Sequence, residues 1–330
     1  MCFQFFQYKK IIANGEIMTR NEKYIARVMF KLKLYESDGQ KFEDLFVKVM
    51  CKANPNFKPV KAHGRIGDMK NDGFDRTTGT YYQVFAPEDV KKGSTINDAV
   101  AKVKEDFQGL KIKWNDICPI KEFFYVVNDK YKGIPAPITQ ELIQLNNANS
   151  ETKCDTFASK NLEDSFILLN DDDIIDVISF IPDENIGALD YSVLNEAIIY
   201  IRDYTGSNGP EDKLVVPDFE EKIEFNKLSD RVNHFLTFAS YQIGDLEEFF
   251  KVNSDFVKSE LQASFKEIYE ESKSIIPDTI PNFSDERFFY ILKQASARKE
   301  KAYRDAVLVL MAYYFESCDI FEEPVKVGAV

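Results

Sequence analysis

The stretch GRIGDMKNDGFDRTTGTYYQVFAPED, residues 64–89, decides how the first part of this chain is read. Its first half is acidic and flanked by glycines. Its second half is rich in aromatic and β-branched residues and closes at Pro87, which cannot donate to a sheet ladder. Asp72 and Gln83 stand eleven residues apart with Gly79 between them, the spacing of a hairpin that returns antiparallel. On the returning strand Tyr81, Gln83 and Phe85 share one face, and Tyr82, Val84 and Ala86 the other. An amide in a row of aromatics wants a partner, because an unpaired buried polar group costs about 2 kcal/mol or more. Asp68 and Asp72 sit at an i, i+4 offset. That offset puts both on one face of a strand, although Gly67 and Gly73 also permit a turn. On these residues alone two readings stay open: a polar turn rich in Asn, Asp and Gly, or one wall of a metal site.

Before this stretch, residues 20–51 hold two helical patterns broken near SDGQ. In the second, Phe42, Leu45, Phe46, Val49 and Met50 follow the i, i+3, i+4, i+7 rule. KANPNFKPVKAHGRIG reads as a loop, its prolines and glycines interrupting helix. After it, a helix is expected from about Ile96, with Ser94 or Thr95 as cap and Gly109 as its close. EFFYVVND (122–129) reads as a second clear strand, followed by a glycine-proline loop and a short helix. Helix, acidic hairpin, strand, helix, strand is the order of a small α/β domain. Residues 141–165 are rich in Asn, Ser and Thr and read as a linker. Beyond them the periodicity is helical almost throughout, six or seven helices with no internal repeat. The predicted organisation is a first domain at 1–140, a linker at 141–165 and an all-helical domain at 166–330.

Charge divides along the same line. Residues 1–140 carry 24 Lys and Arg against 17 Asp and Glu, a net +7; residues 141–330 carry 18 against 38, a net −20. A basic part joined to a strongly acidic one suits an anionic ligand bound at one end only, although solvated faces can also differ in charge. Five scattered cysteines without a CxxC offer neither a disulfide framework nor a zinc spacing, and two histidines (His63, His234) exclude a histidine-rich metal site. No apolar run approaches the roughly 20 residues that span a bilayer. The opening MCFQFFQYKKII lacks a basic segment followed by a true apolar one and reads as mature protein. A cytoplasmic protein without a membrane role is expected.

Metal-dependent phosphodiester cleavage needs carboxylates to hold Mg²⁺ or Mn²⁺, a group that positions or activates water, and a cation near the developing charge. The candidates are Glu43, Asp68, Asp72, Asp75, Gln83, Glu88 and Asp89, with Lys70 inside the opening stretch. Glu88 and Asp89 follow a proline at a strand end and read better as rim charges. His63, His234 and Cys318 read as structural. Trp114 is a candidate exposed or interface aromatic.

FEDLF, HGRIGDMKNDGF and TGTYYQVFAPED together resemble the nuclease core of the PD-(D/E)xK, restriction-endonuclease-like superfamily, over about residues 20–140. The resemblance implies an α+β chain with an α/β/α core. It implies Glu43 as the outer glutamate on the first helix, Asp72 as the central aspartate with Asp68 as rival or helper, and Gln83 as the Gln form of the next ligand. These four would hold Mg²⁺ or Mn²⁺, with DNA as substrate. The family lysine should fall at position 85, where this chain has Phe85. Lys70 from the neighbouring segment, or Lys91 or Lys92 at the rim, is the expected substitute; without one, the domain would bind DNA without cutting it.

KIEFNKLSDRVNHFL (222–236) and AYYFESCDIFEEP (312–324) resemble a C-terminal domain of effectors in three-component (ABC-3C) bacterial conflict systems, over roughly 165–330. This implies docking onto a separate ABC-type ATPase and a small middle component, with a homo-oligomer also admitted. The chain contains no GxxxxGK[ST], so the ATPase would be another polypeptide.

Overall fold

A computed structural model describes residues 18–61, 69–87, 93–182, 186–204, 219–252, 255–317 and 320–324. Thr19 caps α1 (Arg20–Glu36) in a reciprocal pair with Glu22, satisfying two backbone donors that a helix start leaves open. The Ser-Asp-Gly break predicted from sequence separates it from α2 (Gln40–Ala53), whose buried stripe is Phe42, Leu45, Phe46, Val49 and Met50.

A five-stranded mixed sheet follows: β1 (Phe57–Pro59), β2 (Gly73–Asp75), β3 (Thr80–Phe85), β4 (Glu122–Val127) and β5 (Lys153–Ala158), paired in that order. The first three strands are antiparallel; β4 and β5 join parallel. The crossovers are α3 (Gly93–Trp114) and α4 (Ala136–Ala148), as parallel pairing requires. In the β2–β3 turn, Asp75 accepts from the Thr77 amide at 2.7 Å and from Asn54 Nδ2 at 2.8 Å. Gly79 closes the turn at φ +72°, and a Cβ there would lie 2.6 Å from the Pro119 carbonyl oxygen.

Period-two alternation splits the sheet into two faces. Tyr82 meets Phe46 of α2 and Phe57, Phe157 meets Phe46, and Phe124 stacks on Tyr82 in the same row. Tyr81, Phe123, Tyr125 and Val127 pack against Ala99, Val103, Phe107 and Leu110 of α3 and Ile138, Leu142 and Leu145 of α4. The sheet is therefore covered by helices on both faces.

Three expectations differ from this arrangement. The stretch read as a loop before the hairpin contains β1, with Pro59 tolerated because the strand is an edge. The stretch 141–165 read as a linker holds the end of α4, all of β5 and most of α5 (Ser159–Ile167). Its polar residues serve the opposite edge: Asn146 exchanges hydrogen bonds with the Cys154 backbone at 2.6 and 2.7 Å, and Thr152 donates to the Ile120 carbonyl at 2.8 Å. Gly109 does not end α3, which runs five residues further.

The second part of the chain is helical: α6 (Asp171–Ile178), α7 (Tyr191–Arg202), α8 (Phe219–Phe225), α9 (Asp230–Ser240), α10 (Ile243–Val252), α11 (Asp255–Ile275), α12 (Phe283–Gln294) and α13 (Lys301–Glu316). Eight described helices replace the predicted six or seven, because two long periodic stretches break after Ser240 and after Gln294. One apolar core runs from α1 and α2 into α12 and α13. A polar seam crosses it. Glu163 of α5 accepts from Arg27 at 3.1 Å and from the Tyr131 hydroxyl at 2.7 Å. Glu286 of α12 accepts from Lys31 at 2.7 Å and Tyr35 at 2.9 Å, and Asp285 accepts from Tyr24 at 2.7 Å. Among the described residues no helix is long and apolar enough to cross a membrane.

Candidate functional site

The hairpin register sets Asp72 opposite Gln83, one step beyond the Gly73–Tyr82 pair. Opposed residues of antiparallel strands share a face, so both side chains lie on the α3 side. The Gln83 amide nitrogen donates to Asp72 Oδ2 at 3.0 Å, and the Val84 backbone N–H donates to the same oxygen at 2.6 Å. The Asp72 backbone N–H still pairs with the Tyr82 carbonyl at 2.8 Å. As β2 leaves β3, the carboxylate thus takes the place of the next ladder carbonyl. Asp72 is 5% exposed and Gln83 4%. Among the described residues no hydrogen-bond partner meets the buried Gln83 Oε1, either polar atom of the neighbouring Asn71, or the hydroxyl of Tyr125, the residue beside Gln83 on β4.

Orphaned buried acceptors carry a free-energy cost of about 1–3 kcal/mol each, and in native proteins they mark a water, an ion or a functional group. A buried carboxylate beside an orphaned amide oxygen is an oxygen-donor set of the type that hard divalent cations take. Asp72 and Gln83 therefore fit Mg²⁺ or Mn²⁺ as ligands. Among the described residues no group of three His, Cys, Asp or Glu side chains is placed to hold a metal.

The other predicted residues fall differently. Asp68 lies outside the described residues, as do His63, Glu88, Asp89, Lys91, Lys92 and Cys318. Glu43 is half-buried in the first turn of α2, on the opposite layer from Gln83. That turn abuts the end of β3, where the Gly39 N–H donates to the Ala86 carbonyl at 2.6 Å. No described hydrogen bond or ion pair joins Glu43 to Asp72 or Gln83. Asp75 is committed to its turn: burial pushes its carboxyl up, but the hydrogen bonds from Asn54 and Thr77 outweigh that and hold it below the usual value. Phe85 stacks on Tyr125, ring centroids 5.6 Å apart. Trp114 is not an exposed aromatic; it is wedged against Phe74 and Tyr81 and donates to the Met69 carbonyl at 3.2 Å. His234 is exposed on α9 beside Phe238. Burial pushes the Cys154 thiol up to about 12, away from nucleophilic use.

Lys70 is drawn to α3. Its ammonium lies 2.7 Å from Glu105 and 2.9 Å from Asp106. The hydrogen bonds it donates to Glu105 and Asp106 raise it well above the ordinary lysine range, so it acts as a fixed positive charge and not as a base. Asp106 itself escaped the sequence reading. It is fully buried, and Lys102 approaches its other oxygen at 3.1 Å. The signal was present: Ala99, Val103, Asp106, Phe107 and Leu110 form one inward stripe at helical spacing, with a carboxylate where an apolar residue belongs.

No curated protein and no solved structure matches this chain. Residues 192–322, less than half of the chain, match the family model for C-terminal domain 10 of the ABC-three component (ABC-3C) systems. The helical second part of the chain, from α7 through α13, is similar to a domain found in those systems.

Proposed function

We propose that the first part of this chain is a metal-dependent deoxyribonuclease and that the chain is the effector subunit of an anti-phage or mobile-element conflict system. The observation that carries this reading is the Asp72–Gln83 pair: a buried carboxylate 3.0 Å from an amide whose own oxygen is left without a partner. The strand order supports it. An antiparallel β1–β2–β3 meander, a crossover helix and a parallel β4 follow one another, with Asp72 just before β2 and Gln83 on β3. Asp72 and Gln83 would hold Mg²⁺ or Mn²⁺, with Asp68 as the further ligand that the resemblance implies; Glu43, in the opposite layer, could join them only from the end of β3 that its turn abuts. Bound there, such a cation would supply Lewis-acid stabilisation of the phosphate and a bound water of lowered pKa as the source of the nucleophile. Lys70 contributes a permanent positive charge two residues from Asp72. The acidic helical domain docks the effector on a separate ABC-type ATPase and a small middle component, in keeping with its ABC-3C likeness.

The test is plasmid cleavage by the purified full-length chain with Mg²⁺ or Mn²⁺, with and without chelator. Asp72→Ala should abolish the metal-dependent activity and Gln83→Ala should weaken it at limiting metal; retention of full cleavage by both variants rules the site out. One observation favours a second reading. Phe85 fills the lysine position and stacks on Tyr125, as in a fold that binds DNA without cutting it. Its signature is salt-sensitive DNA affinity with no cleavage at any metal concentration.

A further inference from the structure

Several independent features of α3 and its surroundings converge on the single side chain of Lys70. The first is Gly109, in the interior of a 22-residue helix. Glycine there costs roughly 1 kcal/mol against alanine. A Cβ at this position would lie 2.9 Å from Lys70 Cγ and 3.5 Å from Cε, so the missing side chain leaves a track for the lysine stem. The second is the backbone. Met69 and Lys70 have φ of 57° and 69°, a region that non-glycine residues adopt only where the surroundings enforce it. Part of that enforcement is the Trp114 indole N–H on the Met69 carbonyl. The third is Asp106. Packing alone asks for an apolar residue in the stripe of Ala99, Val103, Phe107 and Leu110. The aspartate placed there is completely desolvated and answered by Lys70 and Lys102. Glu105, the other partner of Lys70, is largely exposed and adds little by itself.

The location is the second half of the argument. Lys70 is two residues from Asp72. Asp106 lies on the helix that covers the Gln83 face and acts electrostatically on Tyr125, the neighbour of Gln83 on β4. On that face Phe85 occupies the position two residues past Gln83, and its ring is held by Tyr125. A cation for this site therefore has to come from elsewhere, and α3 is built to present one.

We infer that Asp106 is a positioning residue that holds the Lys70 ammonium against α3, on the side of the sheet that Gln83 faces, where the charge offsets the negative charge that builds on a phosphate under attack. The inference rests on the nuclease reading above and assigns the missing cation within it.

The experiment is a double-mutant cycle on the full-length protein, with plasmid cleavage in Mg²⁺ or Mn²⁺ and thermal melting of each variant. Asp106→Asn should lower kcat by about 10- to 100-fold, in the range found for losing one oriented stabilising group, with KM within about twofold. Lys70→Met should lower kcat at least as far. The double variant should be no worse than Lys70→Met, because Asp106 acts only through that lysine. Lys70→Arg, which keeps the charge, should recover most of the activity lost in Lys70→Met. Gly109→Ala, which leaves Asp106 in place and crowds the lysine stem, should also lower kcat and covers the case in which Asp106→Asn fails to fold. A merely structural Asp106 shows as a lowered melting temperature of Asp106→Asn with the kcat of the folded protein within twofold of wild type, and that result overturns the inference, as does a Lys70→Arg variant no more active than Lys70→Met. If Asp72→Ala abolishes cleavage while Asp106→Asn does not reduce it, the positioning role falls and the nuclease reading stands. A wild-type protein with no metal-dependent cleavage overturns both.

Discussion

Two clusters of buried polar side chains lie in different layers of this molecule, and they are finished to different degrees. In the seam between α1, α5 and α12 every carboxylate oxygen has a donor: Arg27 and Tyr131 on Glu163, Lys31 and Tyr35 on Glu286, Tyr24 and Ser229 on Asp285. Beside Asp72, Gln83 Oε1, the Asn71 amide and the Tyr125 hydroxyl have none among the described residues. Both clusters bear the desolvation cost of burial. Only the seam recovers it from within the described chain. A satisfied cluster is architecture; an unsatisfied one of similar burial is where an outside ligand completes the set.

Substitution can break this contrast. The largest effect belongs to Asp72→Asn, which keeps an acceptor for the Val84 amide but removes the charge. Metal-dependent cleavage should fall by about 10³-fold, equivalent to roughly 4 kcal/mol, while the melting temperature moves little. Equal losses of stability and activity would return Asp72 to the architectural class. Next is Glu286→Ala. It leaves Lys31 facing a desolvated gap, and unfolding in denaturant should show about 3 kcal/mol lost. Cleavage per folded molecule should stay at the wild-type level. Gln83→Leu follows. It removes an orphan and one donor to Asp72, so stability should change by less than about 1 kcal/mol. The metal concentration for half-maximal cleavage should nonetheless rise, by about tenfold.

The smallest effect lies in the hairpin itself. Asp75 is as buried as Asp72, both of its oxygens accept hydrogen bonds, and its carboxyl is held below the ordinary value. A depressed carboxylate stabilises the fold above its unfolded pKa, and that contribution disappears as pH falls through the folded one. Wild type should therefore lose about 1 kcal/mol more than Asp75→Asn between pH 5 and pH 2 in melting experiments. Parallel curves for the two proteins would show that the turn gains nothing from the charge.

The hairpin and the two central strands could be read from sequence because their signals are local. Gly79 demands a bend, and the TYYQVF and EFFYVV runs alternate between two buried faces. The edge strands could not. β1 is three residues ending in proline, and β5 is polar, since an edge shows one side to water and needs little apolar pattern. The Asp72–Gln83 pairing was legible for the same reason as the hairpin. Asp106 was not, because a charge inside a helical pattern reads as solvated until the helix has a face to cover. Gly109 was misread as a stop because its justification, the Lys70 stem, lies 39 positions away in the chain. Each miss concerns a residue whose reason for being there belongs to another element.

The course of α1 has a practical consequence. This helix lines the core shared with α12 and α13, and its Tyr24, Lys31 and Tyr35 hold carboxylates of the helical half. A fragment cut at the apparent composition boundary near residue 165 would strip α1 of that cover and expose Ile25, Met29 and Leu32. Such a fragment would be sticky, and its inactivity would say nothing about the site.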